Sequence, residues 1–195
     1  MPMTSVRAVA LATCLLALAA CQRQPEPAAA PAAPQPAAAP AQPAAPAEPA
    51  APAREVTAEQ PALKLPTVDG KTYDLAEHRG KWVVINFWAT WCGPCLKEMP
   101  ELSALHAMRN NVEVVGLAYE DIEPAEMQEF LKAHPVAYPI AIVDTYQPPA
   151  DFAVPRGLPM SYLIGPDGKV AKQFLGPVEA RDIEAAITAA GGKVG

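Results

Sequence analysis

Three things are scarce in this chain, and each scarcity closes off a class of function. Basic side chains come first: 15 Lys and Arg stand against 21 Asp and Glu, for a formal charge of −6. An acidic chain without a basic stripe is a poor partner for nucleic acid. Long apolar runs come second. The longest, Val6 to Ala20, is almost entirely apolar apart from Arg7 and spans 15 residues, short of the roughly 20 a membrane-crossing helix needs. Metal ligands come third, with four cysteines and three histidines in all. Structural zinc asks for two CxxC pairs, or one pair with two histidines at finger-like spacing. Here one pair exists, Cys92 and Cys95, and His78, His106 and His134 are scattered. Leu96 stands where CxxCH haem attachment needs histidine. No metal and no cofactor is expected, and no internal repeat is visible outside one Ala/Pro tract.

What is present starts with a targeting segment. Arg7 supplies a positive start, the apolar run follows, and it closes on "LAAC", Leu18 to Cys21. That ending resembles the lipobox of bacterial lipoprotein signal peptides, in which the cut precedes the cysteine and the sulfur carries lipid. Residues 1–20 would then be discarded and Cys21 would anchor the mature chain to a membrane; an ordinary secretory cut after Ala19 or Ala20 is the alternative. Gln22 after the cysteine, rather than Asp, resembles the pattern that sends such lipoproteins to the outer membrane. With Cys14 inside the signal and Cys21 lipidated, Cys92 and Cys95 are the remaining thiols.

From Pro25 to Ala53, 15 of 29 residues are Ala and 10 are Pro. Proline at every third or fourth position stops helix propagation, and no hydrophobic period survives. Residues 21–53 read as a disordered, polyproline-like tether, at about 3 Å per residue reaching up to roughly 90 Å.

The folded part is expected from Arg54 to Gly195, large enough for one core. Short strands around Ala62–Leu65 and Thr72–Leu75 flank the turn "VDGK". "WVVINFW", Trp82–Trp88, reads as a strand buried on both faces. A helix from Pro94 to about Met108 follows, with Pro100 as a kink. Val112–Tyr119 is the next strand, which completes a parallel βαβ unit. A helix to about His134 opens at Asp121 or Glu123, with Pro124 at its start. Ile140–Val143 is a strand, Met160–Ile164 and Val170–Leu175 form a hairpin about "PDG", and Glu179–Ala190 is a last helix. Five acids between Glu120 and Glu129 read as a solvated helix face with its entry loop. This order describes an α/β domain, a mixed central sheet flanked by helices.

A strand running straight into a helix places Cys92 at or beside the helix N-cap, where unpaired N–H groups and the dipole favour a thiolate. The thiolate is the form that attacks disulfides. Cys95, one turn on, lies on the same face, within bonding reach and more buried, suited to resolving a mixed disulfide. Gly93 lets a partner chain approach and Pro94 stiffens the turn. A static crosslink over so small a loop would constrain the unfolded chain little.

"FWATWCGPC", with Pro100 five residues past the second cysteine and "GLP" at Gly157–Pro159, resembles the thioredoxin superfamily. "WCGPCLKEMPEL" with the preceding "DGKTYDLAEHRGKWVVINFW" is similar to its TlpA/ResA-like extracytoplasmic branch, over Pro61 to about Ala190. The resemblance implies a thioredoxin fold with an N-terminal hairpin and a central insert around Glu120–His134. It implies Cys92 as nucleophile, Cys95 as resolving thiol, and Glu98 as a carboxylate for proton transfer at the dithiol. Pro159 would be the cis-proline beside the site, where a client's backbone pairs with Leu158, and Trp91 a surface wall for that client. Trp88, Phe87 and Tyr162 read as packing. Asn86 replaces a buried aspartate of thioredoxin itself and cannot shuttle a proton, which leaves Glu98 as the candidate base. Met160 takes the place of a usual threonine and would make the cleft more apolar. The implied activity is a lipid-anchored, periplasm-facing thiol–disulfide oxidoreductase. It would reduce protein disulfides, with apocytochrome c or copper-site proteins as typical clients and a membrane thiol donor of the DsbD or CcdA type. Two other readings stay open: a Cu(I) chaperone using Cys92, Cys95 and Met160 as a soft ligand set, and, behind it, a thiol peroxidase.

Overall fold

The computed structural model describes residues 55–195, which lie within one compact unit, Ala47–Gly195. The expected signal 1–20, the lipid site Cys21, the tether to residue 53 and the boundary at Arg54 fall outside the described residues.

Five strands form a mixed sheet in the order β5-β4-β3-β6-β7. They are β3 (Trp82–Trp88), β4 (Val112–Tyr119), β5 (Ile140–Val143), β6 (Met160–Ile164) and β7 (Val170–Leu175). β3 runs parallel to β4 and antiparallel to β6. Every residue of β3 is buried, the signature of a central strand covered on both faces. Side chains alternate, so the sheet carries two cores. Val84 and Trp88 join the core that holds α1 (Gly93–Met108), Val114, Ala118 and Leu163. Val83, Ile85 and Phe87 face the other core with Leu117, Phe152, Met160 and Tyr162. The remaining helices are α2 (Pro124–Ala133) and α3 (Ala180–Ala189). Pro100 sits inside α1, which runs through it unbroken; the missing N–H removes one helical hydrogen bond.

The N-terminal hairpin is displaced from its expected place. β1 is Lys64–Pro66 and pairs antiparallel with β2, Thr72–Asp74. Leu75 starts a short 3-10 turn to His78 instead of ending the strand, because the Asp74 carboxylate accepts from the Ala76 N–H at 3.0 Å. Gly70, at φ 83°, closes the hairpin turn in the left-handed region that glycine enters freely.

Candidate active site

β3 ends at Trp88 and α1 begins at Gly93, so four residues carry the chain from the sheet into the helix. Cys92 is the N-cap of α1, and its Sγ accepts from the Cys95 N–H at 3.3 Å. Capping by sulfur replaces the usual side-chain oxygen and satisfies one of the helix's free N–H groups. The two cysteines are joined in a disulfide, with Cα atoms 5.2 Å apart. Their burial differs: Cys92 keeps 5% of its surface and Cys95 none. Gly93 and Pro94 are exposed, and nothing lies within 4 Å of where a side chain on Gly93 would begin. Trp91 is 71% exposed beside them, whereas Trp88 is fully buried. Leu158–Pro159 is a cis peptide, and Leu158 packs against the core that contains both cysteines. Gly93, Pro94 and Cys95 thus open α1 behind the Cys92 cap with Trp91 just before it, and the peptide bond at Pro159 is cis.

Glu98 is one turn beyond Cys95 on α1 and only 4% exposed. Its Oε1 accepts from Asn86 Nδ2 at 2.8 Å, and its Oε2 accepts from the Val178 N–H at 2.8 Å. Burial pushes its pKa up to about 7, against the pull of those two hydrogen bonds. Asn86 is held in turn by Ser161, its cross-strand neighbour on β6, with Nδ2 donating to Oγ at 2.9 Å. Asn86 therefore presents a donor to the carboxylate and carries no proton of its own to exchange.

A contact the sequence reading missed fixes the approach to Cys92. Glu120, at the end of β4, accepts from the Thr90 N–H at 2.7 Å and from Thr90 Oγ1 at 2.8 Å. This separates Glu120 from the solvated acidic face it was grouped with; Asp121, Glu123, Glu126 and Glu129 are exposed as expected. Met160 corrects a second expectation. It is 1% exposed and belongs to the core on the sheet's other face, its sulfur accepting from Gln173 Nε2 at 3.2 Å. Strand alternation turns it away from the face carrying Glu98, so it neither lines the cleft nor joins the cysteines as a third soft ligand. No cluster of His, Cys, Asp and Glu suited to a metal occurs among the described residues.

Comparison with known proteins now adds to this geometry. Residues 56–173 match the AhpC/TSA family. The chain is 33% identical to a thiol-disulfide oxidoreductase ResA of Bacillus cereus, covering 67% of this chain and 75% of that protein. It is 34% identical to ResA of Bacillus subtilis, over 61% of this chain and 66% of the relative. Among solved structures it is similar to a thiol:disulfide interchange protein of the thioredoxin family from Chlorobium tepidum. That match has a TM-score of 0.56 and 26% identity, over 72% of this chain and 99% of the other. The chain belongs to the AhpC/TSA family, as a ResA-like thiol–disulfide oxidoreductase.

The thioredoxin-like fold and the bonded cysteine pair agree with that membership. Of the two bonded cysteines, Cys92 is the less buried. Glu98 and Asn86 form a buried hydrogen-bonded pair between α1 and β3, where an unpaired charge is costly.

Proposed function

We propose that this chain is a lipid-anchored, envelope-facing reductase of protein disulfides, with Cys92 as nucleophile, Cys95 as resolving thiol and Glu98 as the base. The observation that carries the reading is the bonded pair at the start of α1: Cys92 caps the helix and keeps 5% of its surface, Cys95 one turn on keeps none, and the buried Glu98 follows after a further turn. The Cys92 thiolate attacks one sulfur of a client disulfide, forming a Cys92–client bond while the client's other sulfur leaves as a thiolate. Glu98 takes the proton of Cys95. The Cys95 sulfur then attacks Cys92 Sγ, forming the intramolecular disulfide and expelling the client's second thiolate. Two electrons pass to the client, whose thiolates take up two protons, and Glu98 returns to its charged form by releasing one.

Trp91 and the Leu158–Pro159 loop provide the surface for the client backbone, and Gly93 and Pro94 leave that approach open. The lipobox-like "LAAC" and the Ala/Pro tract support an anchor at Cys21 with a long tether, on the outer membrane by the Gln22 pattern. The Gly-Pro dipeptide between the cysteines favours reduction over oxidation. An oxidising compartment then demands re-reduction, which points to a membrane thiol donor of the DsbD or CcdA type. Apocytochrome c and copper-site proteins are the clients this branch suggests.

The test is a Cys95→Ser chain expressed in cells. Clients should remain covalently joined to Cys92 and be released by dithiothreitol; an empty Cys92 overturns the reading. A measured potential near about −120 mV, that of a strong oxidant, would overturn its direction.

A further inference from the structure

The buried carboxylate and the Leu158–Pro159 loop are joined by one short step of chain. After β7 the chain passes through Gly176, Pro177 and Val178 before α3 begins at Ala180. At the near end of this step the Gly176 N–H donates to the Pro159 carbonyl at 2.9 Å. That bond continues the β6–β7 ladder past its last register pair, Met160 with Leu175. At the far end the Val178 N–H donates to Glu98 Oε2 at 2.8 Å. The side chains converge as well. Val178 is buried in the core that holds both cysteines, and Leu158 packs against that same core. Between the two donors stands Pro177, whose ring fixes φ and leaves the step little freedom. A displacement at one N–H is therefore passed on to the other. Glu98 acts in this way on the Pro159 carbonyl, one residue from the Leu158 backbone proposed to pair with a client.

The Val178 bond has two strengths. A hydrogen bond to a charged carboxylate is about twice as strong as one to a neutral carboxyl. A charged Glu98 holds Val178 and keeps Gly176 on Pro159, so the Leu158 edge is already ordered when a client arrives, which lowers the cost of binding. A neutral Glu98 lets the step relax. Resting on the reading of Glu98 as the base, we propose that the charge on Glu98 sets the grip of the Leu158–Pro159 loop on a client through Gly176–Val178, so that the proton Glu98 takes from Cys95 also loosens the client. The proton passes from the Cys95 sulfur to the Glu98 carboxylate, as the resolving step already requires. No further bond is made or broken, and no electrons are added. The charged form receives the client, and the proton that frees Cys95 to attack slackens the loop as the client's last thiolate departs. By linkage, a client that prefers the charged form must make Glu98 a stronger acid by the same factor.

Few other groups act on the Glu98 charge. Asn86 from β3 donates to its Oε1 at 2.8 Å, and Ser161 from β6 accepts from Asn86 behind it. Tyr138, ahead of β5, is kept from ionising by its burial first and by the Glu98 charge second. Cys95 lies one turn back on α1. Among the described residues no cation contributes to the raised Glu98 pKa. The charges beside the connector are engaged with one another or with α3. Glu101 of α1 accepts from the Ala180 N–H at 3.1 Å, Asp182 accepts from the Glu179 N–H at 3.0 Å, and Glu179 pairs with Arg181 at 2.7 Å. Pro177 and Val178 act through Glu98 and Pro159, and they are positioning residues.

The experiment uses the full chain as Cys95→Ser, with Cys92 joined by a disulfide either to a methylthio group or to a short Ala/Thr peptide. The peptide has blocked ends, one cysteine and no other titrating group. The Glu98 midpoint, read by carboxyl NMR, should lie lower with the peptide than with the methylthio group. The expected gain in acid strength is about fivefold, the low end of ordinary coupling between sites. A peptide that merely shut out water would raise the midpoint instead. Pro177→Gly frees the step and should remove most of the peptide's effect while leaving the methylthio midpoint in place. A midpoint that the peptide leaves unmoved or raises overturns the proposal. So does a full shift in Pro177→Gly, which would carry the effect past the connector. Should Pro177→Gly fail to fold, the Gly176 amide resonance of the methylthio form decides. It should move with the Glu98 midpoint and stand still in Glu98→Gln; an amide blind to Glu98 overturns the link. The base is read separately, by timing glutathione release from Cys92 of the otherwise unaltered chain across neutral pH. If Glu98→Gln flattens that profile while the peptide leaves the Glu98 midpoint unmoved, the base stands and the grip falls. If Glu98→Gln keeps the wild-type profile while the peptide lowers the midpoint, the base falls and the charge-dependent grip stands.

Discussion

At Glu98 the folded protein holds a proton that the unfolded chain gives up. The folded pKa of about 7 lies above the ordinary 4.5, so between those pH values the native state binds more protons than the unfolded one. Its contribution to stability is complete below 4.5 and is lost as the pH rises toward 7, by about 3 kcal/mol in all. Glu98→Gln should flatten that stretch of the stability curve, read by urea denaturation at several pH values; an unchanged slope would mean the carboxyl is not strained by burial. Asn86 can serve either protonation state. As it stands it donates to the carboxylate, and a half-turn of its amide would bring the unpaired Oδ1 round to accept from the protonated acid. Asn86→Asp removes this adaptability and sets two carboxyls side by side. It should cost about 3 kcal/mol or more above neutral pH, and the loss should shrink on acidification as one carboxyl protonates. The role of Asn86 was half legible in the sequence. Its inability to exchange a proton follows from residue type alone, whereas its two partners, Glu98 and Ser161, are 12 and 75 residues away.

At the scale of elements, the long strands announced themselves. β3, β4, β5, β6 and β7 have the bounds their apolar or alternating runs suggest, because central strands must be apolar and proline and glycine mark their ends. The short hairpin was misplaced by up to two residues, since three-residue edge strands carry no periodicity and a capping aspartate decided where β2 stops. Gly116 gave no signal in the sequence, yet it lets three side chains close onto β4. A methyl there would meet Ile140 Cδ1 at 2.5 Å, and Gly116→Ala should cost about 1–3 kcal/mol by overpacking, seen as a lower urea midpoint at unchanged slope. Glu120 was equally silent, its contact with Thr90 spanning 30 residues. Glu120→Ala should expose the Thr90 amide, speed its hydrogen exchange and cost about 2 kcal/mol. An exchange rate equal to that of the wild type would show the loop to be held by other contacts.

For the molecule as a whole, the proposed anchor at Cys21 and the residues of the proposed chemistry lie in different stretches of the chain. The described residues begin at 55, and the residues that carry the reading as an oxidoreductase all lie between Asn86 and Val178. A Cys21→Ser chain should leave the membrane fraction of cells while keeping the wild-type single-turnover rate with oxidised glutathione. Retention in the membrane fraction would place the anchor elsewhere. The family, the fold and the bonded pair were readable because they rest on one contiguous motif with a helix start built into it. The partners of the buried polar groups were not, because Glu98, Asn86, Ser161 and Val178 come from four separate segments and no local spacing records their meeting.

The link from Glu120 to Thr90 also decides where force goes. A client seated on Trp91, as proposed, would pull on the four-residue passage between β3 and α1, and that passage is tied at Thr90 to the end of β4. The tug of a docking protein would thereby be handed to the sheet before it reaches the helix. Cys92 can be gripped hard without its sulfur being dragged off the line along which Cys95 must strike.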